Sequence, residues 1–132
     1  MIVPDASVTA LLFVDAEADS RVLAARRLLM GDPVWVVPEP WCTEVLSVIR
    51  GLWLGRKLDD RRAERAVQAL RTMVVDVVPA GLLLPRMWEL RSSLTAYDAS
   101  YVAAAELRSC ALVTADARIA RSGAARCEIE LI

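Results

Sequence analysis

Short apolar runs alternate with stretches of helical period from one end of the chain to the other. Ile2-Val3, closed by Pro4-Asp5, reads as a strand over 2–5, and 6 to about 16 as the helix that follows. Asp19-Ser20 is placed to cap a second helix with Val22, Leu23, Leu28 and Leu29 apolar, ending at Met30-Gly31. Val34-Trp35-Val36-Val37 is a β-branched strand stopped by Pro38-Glu39-Pro40. Pro40 suits the first turn of a helix running to Leu54, and Gly55 its end. Asp59-Asp60 opens another helix with Ala63, Ala66, Val67 and Leu70 on one face, and 74–78 is the next strand. Helices are predicted over 80–92, with Pro85 as an internal start, and over 96–109 behind Thr95 as cap. Ala111-Leu112-Val113-Thr114 returns to strand, a short helix spans 116 to about 121, and 128–132 is a last strand.

Strands separated by helices need crossover connections, so the sheet is parallel with helices on both faces. The expected fold is a three-layer α/β sandwich. With no repeat or linker, residues 1–132 are read as one domain.

Composition narrows the chemistry. Hydrophobic residues make up 56% of the chain, yet no apolar run reaches the roughly 20 residues of a membrane span. The excess fits a buried parallel sheet or an apolar face covered by a partner. The start of the chain lacks the basic stretch and apolar core of a signal peptide, so a cytoplasmic protein with no membrane role is expected. Cys42, Cys110 and Cys127 have no C-x-x-C spacing and lie among apolar neighbours, which reads as reduced core packing. The net charge of −1 gives no global signal for nucleic acid.

The chain has no histidine, which removes the usual general base and the commonest transition-metal ligand. Four carboxylates, Asp5, Glu44, Asp98 and Asp116, sit where strands end or helices begin. In an open parallel sheet, ligands bind outside the carboxyl ends of the strands, where strand order reverses. Oxygen-only donors there suit Mg²⁺ or Mn²⁺. Taken singly, Asp5, Asp98 and Asp116 are also explained as helix caps. Glu44 is not, because it lies between Trp41, Val45 and Val48 on an apolar helix, where an unpaired carboxylate is expensive.

These residues carry a resemblance. Ile2-Val3-Pro4-Asp5-Ala6-Ser7, Glu44-Val45-Leu46, Leu94-Thr95-Ala96-Tyr97-Asp98-Ala99-Ser100-Tyr101-Val102 and Leu112-Val113-Thr114-Ala115-Asp116 resemble the four motifs of a PIN domain. The likeness is greatest to VapC ribonuclease toxins of bacterial toxin–antitoxin pairs and covers essentially the whole chain. It implies a metal-dependent endoribonuclease in which Asp5, Glu44, Asp98 and Asp116 are both catalytic and metal-binding. Asp5, Asp98 and Asp116 are the expected ligands of Mg²⁺ or Mn²⁺, and Glu44 a second-metal ligand or the holder of the attacking water. Ser7 and Thr114 are supporting residues that hydrogen-bond a ligand carboxylate or a phosphate, or else cap helices. Related toxins often carry asparagine where this chain has Ser47, a departure that can alter a hydrogen bond behind Glu44 but removes no carboxylate.

The resemblance also implies a cognate VapB-type antitoxin, an RNA substrate and a homodimer. Trp41, Val45, Val48, Leu52 and Trp53 offer more apolar surface than one core face needs, leaving some for a partner. Arg91, Arg118 and Arg121 flank the third and fourth motifs and are read first as solvated or salt-bridged arginines, with phosphate contact as the candidate role. A dehalogenase-type phosphatase would need aspartate where Ser7 stands, and a receiver domain a lysine near the last strands, whereas the chain's only lysine is Lys57. The rival from another class is a catalytically silent PIN-like module whose acidic pocket grips a basic partner segment.

Overall fold

The computed structural model describes all 132 residues. Five short strands appear in the predicted order: β1 (Ile2–Pro4), β2 (Val36–Pro38), β3 (Asp76–Val78), β4 (Ala111–Thr114) and β5 (Ile129–Leu131). Seven helices separate them: α1 (Ala6–Ala10), α2 (Val22–Gly31), α3 (Trp41–Leu54), α4 (Asp60–Thr72), α5 (Ala80–Glu89), α6 (Ala96–Arg108) and α7 (Ala117–Arg121). All pairings are parallel: β1 with β4, β4 with β5, and β2 with β3. A single parallel bridge between Ile2 and Trp35 joins the two groups, giving the order β3-β2-β1-β4-β5.

Alternation of side chains along the strands builds two cores. Val3 and Leu112 belong to the larger one, with Trp41, Val45 and Ile49 of α3 and the small residues Ala103, Ala104 and Ala105 of α6. Ile2 and Val113 point the other way, onto Val8 and Leu11 after β1 and Val22, Ala25 and Leu29 of α2. The sheet is therefore covered on both faces, as its unbroken apolar strands require. No helix is long and apolar enough to cross a membrane.

Several predicted boundaries move. The first helix ends at Ala10 and passes into a 3-10 turn over Leu11–Phe13, because Val14 turns extended. Asp19 does not cap α2; its carboxylate accepts from Arg21 N at 2.9 Å in a local turn, and the helix starts one step later at Val22. The Trp35 indole N–H donates to the carbonyls of Leu29 (3.0 Å) and Asp32 (3.2 Å), so Trp35 anchors the end of α2 and only Val36 onward forms the strand. Pro85 starts nothing: α5 runs through it, with the ring on the solvent side. The last strands are trimmed to 76–78 and 129–131.

Chain order now matters for function. From β1 the chain goes to β2 and β3 on one side, then returns to place β4 and β5 on the other. The reversal lies between β1 and β4, where Asp5 N donates to the Val113 carbonyl at 3.0 Å. An open parallel sheet forms its binding crevice at such a point.

Candidate active site

Asp5 leaves β1 as the N-cap of α1 and is 5% exposed. Its Oδ1 accepts from Val8 N (2.9 Å) and from the Ser7 hydroxyl (2.7 Å), while the Thr114 hydroxyl donates to Oδ2. Both hydroxyls also reach the loop after β4: Ser7 Oγ accepts from Ala115 N (3.0 Å) and Thr114 Oγ1 from Asp116 N (2.9 Å). One carboxylate thus pins the ends of the two central strands together. Burial nevertheless pushes the Asp5 carboxyl above its ordinary range, against the lowering pull of Thr114 and Ser7.

Glu44 stands in the first turn of α3, half-buried, and the Tyr101 hydroxyl donates to its Oε2 at 2.6 Å. Burial raises its pKa, the Tyr101 hydrogen bond opposes this, and the negative charges of Asp98 and Asp5 raise it further. Asp5, Glu44 and Asp98 therefore share one electrostatic neighbourhood. Asp98 is held from below, accepting from Thr95 Oγ1 at 2.8 Å while its own N–H donates back to that oxygen at 3.1 Å. This is the expected cap at Thr95, closed by an aspartate.

Asp116 behaves differently. It caps α7 through Arg118 N (2.8 Å), and the Arg118 guanidinium closes on it with Nη2 at 2.6 Å and Nε at 2.9 Å from Oδ2. This hydrogen-bonded arginine holds the Asp116 carboxyl below the usual range. Arg118 also senses the charge of Asp98, so it lies against the acidic group as a built-in counter-ion. Arg118 is thus salt-bridged, the reading favoured over a phosphate contact, and Arg91 stacks on the Trp88 ring, 4.8 Å from its centre.

The fit of a divalent cation can be judged from these donors. All are carboxylate oxygens, and two of the four, Asp5 and Glu44, have pKa values raised chiefly by burial, with the charges of Asp98 and Asp5 adding to the rise at Glu44. As placed, no three acidic side chains are close enough together to hold an ion, and each of the four accepts a hydrogen bond from a neighbour. The donor chemistry, carboxylate oxygens without imidazole or thiolate, is of the kind that suits Mg²⁺ or Mn²⁺.

Sequence reasoning missed Tyr101. It follows Asp98 by three residues on α6, hence on the same helix face, and that spacing was the available signal. Tyr101→Phe should leave the fold intact and lower activity about 10-fold, since Glu44 loses the donor that holds it. A steady-state assay with circular dichroism checks this; unchanged turnover would show that the Glu44 orientation is immaterial. Ser47 donates to the Thr43 carbonyl at 3.0 Å, one turn back on α3, and makes no hydrogen bond to Glu44. Together with Pro40, Thr43 and Tyr97 it lines a cleft of about 500 Å³ beside Glu44.

The chain matches the PIN domain family over residues 2–124. It is 41% identical over 133 aligned residues to the VapC ribonuclease Mb0985 of Mycobacterium bovis, covering 100% of this chain and 98% of that one. Ribonuclease VapC9 of Mycobacterium tuberculosis gives the same identity and coverage. The crystal structure of Mycobacterium tuberculosis VapC20, a Sarcin-Ricin loop cleaving toxin, superposes with a TM-score of 0.67 at 22% identity, covering 93% of this chain and 95% of that one. The fold, the acidic group at the strand reversal and these likenesses converge: the chain belongs to the PIN-domain family, in its VapC group.

Proposed function

We propose that this protein is a metal-dependent endoribonuclease, the toxin of a VapBC-type pair, neutralised by a cognate antitoxin. The observation that carries the reading is the grouping of Asp5, Glu44 and Asp98 at the reversal of the sheet, in a chain whose full-length relatives are named VapC ribonucleases. Asp5, Asp98 and Asp116 are proposed to hold Mg²⁺ or Mn²⁺. When bound, such an ion stabilises charge on the phosphate and lowers the pKa of water.

The remaining work falls to the chain itself. Ser7 and Thr114 orient the Asp5 carboxylate from two sides. Glu44, with its affinity for protons raised and Oε2 held by Tyr101, is the group suited to take a proton from the attacking water. The same negative charge suits the basic segment of an antitoxin. A homodimer belongs to the proposal as well: Trp41 and Val45 of α3 go into the core, while Leu46, Trp53 and Leu54 remain exposed.

The direct test is to titrate Mn²⁺ into the purified chain while following melting temperature and cleavage of single-stranded RNA. Saturation should raise the melting temperature by several degrees and switch on cleavage that chelation abolishes. Intact RNA and an unmoved melting temperature would instead identify the silent binding module. Arg118→Ala frees the Asp116 carboxylate and is expected to tighten Mn²⁺ binding several-fold in the same titration. Unchanged affinity would remove Asp116 from the ligand set.

A further inference from the structure

The nuclease reading leaves two thiols unexplained. Cys110 immediately precedes β4, and Cys127 stands two residues before β5. In the ladder between these strands Leu112 pairs with Ile129, and Leu112 N donates to the Glu128 carbonyl at 2.9 Å. Stepping back two residues on each strand reaches Cys110 on one and Cys127 on the other. Two steps along a strand return to the same face. Both cysteines accordingly pack against the larger core together with Leu112 and Ile129, whereas Val113 points to the smaller one.

Both also line a single open cleft of about 570 Å³, between Glu106, Ser109, Arg126 and Glu128. Where the ladder begins, at Leu112 and Ile129, neighbouring strands lie about 4.8 Å apart. A disulfide spans roughly 4.4–6.8 Å between Cα atoms, so the two residues leading into each strand leave the thiols a short movement from bonding. Neither cysteine is locked into the ladder. Cys110 follows Ser109, which is left-handed at φ 51°, and its N–H goes back to the Ala105 carbonyl at 3.1 Å. Cys127 sits in a bend.

We infer that Cys110 and Cys127 form a reversible disulfide that staples β4 to β5, a redox modification site separate from the acidic centre. A small-molecule disulfide such as oxidised glutathione is the oxidant. The Cys110 thiolate attacks one glutathione sulfur, forming a mixed disulfide and releasing one glutathione thiolate. The Cys127 thiolate then attacks the Cys110 sulfur, forming the internal bond and releasing the second glutathione. The two protein thiols lose two protons and two electrons, and the oxidant gains both.

Burial raises the pKa of both thiols, that of Cys127 to about 11. The exchange is accordingly slow, and no stabilised thiolate pulls the equilibrium back toward the reduced pair. The closed loop, 110–127, carries Thr114, Asp116 and Arg118. Oxidation therefore tethers the segment that reaches Asp5 and Asp116.

The exposed Cys42 is first replaced, leaving only the pair in the full chain. Cys42→Ser protein is equilibrated in glutathione buffers of graded potential, with Cys42→Ser/Cys110→Ser and Cys42→Ser/Cys127→Ser as controls. Intact mass, free-thiol count and melting temperature are read on each. The pair should go from two titratable thiols to none, with loss of two hydrogens per chain. The melting temperature should rise by about 10 °C and fall again on reduction. Trypsin cuts after Arg108, Arg118 and Arg126, so the peptides bearing Cys110 and Cys127 should travel linked only without reductant.

The controls should show no such shift. Retention of both thiols at the most oxidising potential, by folded protein, would overturn the inference. So would glutathione adducts on either cysteine in place of the link, or disulfides between chains. None of these readouts depends on RNA cleavage, so the inference and the nuclease reading fail separately.

Discussion

Asp5→Asn and Asp98→Asn proteins are each expected to lose RNA cleavage by at least about 10³-fold, while differing in what they do to stability. Asparagine keeps the shape of either side chain and removes one negative charge from the acidic group. At Asp5 the surroundings favour the neutral form: the side chain is 5% exposed, and burial raises its pKa. A carboxyl with a raised folded pKa contributes stability below its unfolded value, near 3.8, and that contribution is lost as pH rises through the folded value. Ionised Asp5 is therefore destabilising relative to its protonated form, an effect that grows as pH rises above 3.8 and that Asn relieves.

Asp5→Asn should match the native chain in melting temperature near pH 4 and exceed it at pH 7, by about 1 kcal/mol. Asn keeps an oxygen for Val8 N and the Ser7 hydroxyl, which share Oδ1, and the Thr114 hydroxyl can turn to accept from its amide. Asp98→Asn should shift stability little, because its cap with Thr95 needs only one acceptor. Differential scanning fluorimetry across pH, with an RNA gel assay on the same preparations, reads both quantities. A destabilised Asp5→Asn at pH 7 would mean that the charged carboxylate is structural and not held at a cost for function. Full cleavage by either variant would remove that residue from the catalytic set.

The largest loss of stability is expected at Trp41. It is 2% exposed, sits at the start of α3 and points its indole N–H at Thr9 Oγ1, 3.4 Å away on α1. Thr9 in turn donates to the Asp5 carbonyl at 2.7 Å. Trp41→Ala opens a cavity between α1, α3 and the sheet, at a cost of about 4 kcal/mol. Against a usual total of roughly 5–15 kcal/mol, that is a large fraction of the fold. Urea unfolding should show a much lower midpoint with an unchanged slope. Trp53, on the same helix, is 45% exposed and bonds only Asp60 Oδ1 at 2.7 Å. Trp53→Ala should change stability by no more than about 1 kcal/mol. Equal losses for the two tryptophans would contradict the assignment of α3's buried side to Trp41, Val45 and Ile49.

The same helix shows what could be read in the chain and what could not. Its bounds followed from Pro40 and Gly55, and Glu44 stood out because a carboxylate among Trp41, Val45 and Val48 has no cheap place to go. Which of its apolar residues face inward was unreadable: 56% of the chain is hydrophobic, so every face of α3 looks like a core face. Boundaries failed where tertiary contacts overrode local pattern. Trp35 looks like strand but bonds the end of α2, and Pro85 looks like a start but rides on the exposed side of α5.

By itself the order of residues determined the alternation of strand and helix, the parallel sheet and the four acidic positions. Those depend on near neighbours: periodicity, caps and breakers act within a few residues. The strand order, the bond from Tyr101 to Glu44 across 57 residues, and the capture of Asp116 by Arg118 were decided only by tertiary structure. So was the placing of Cys110 and Cys127 on one cleft. Each depends on register and side-chain direction between distant segments, which local pattern does not encode. Packing both faces of the sheet fixes them together.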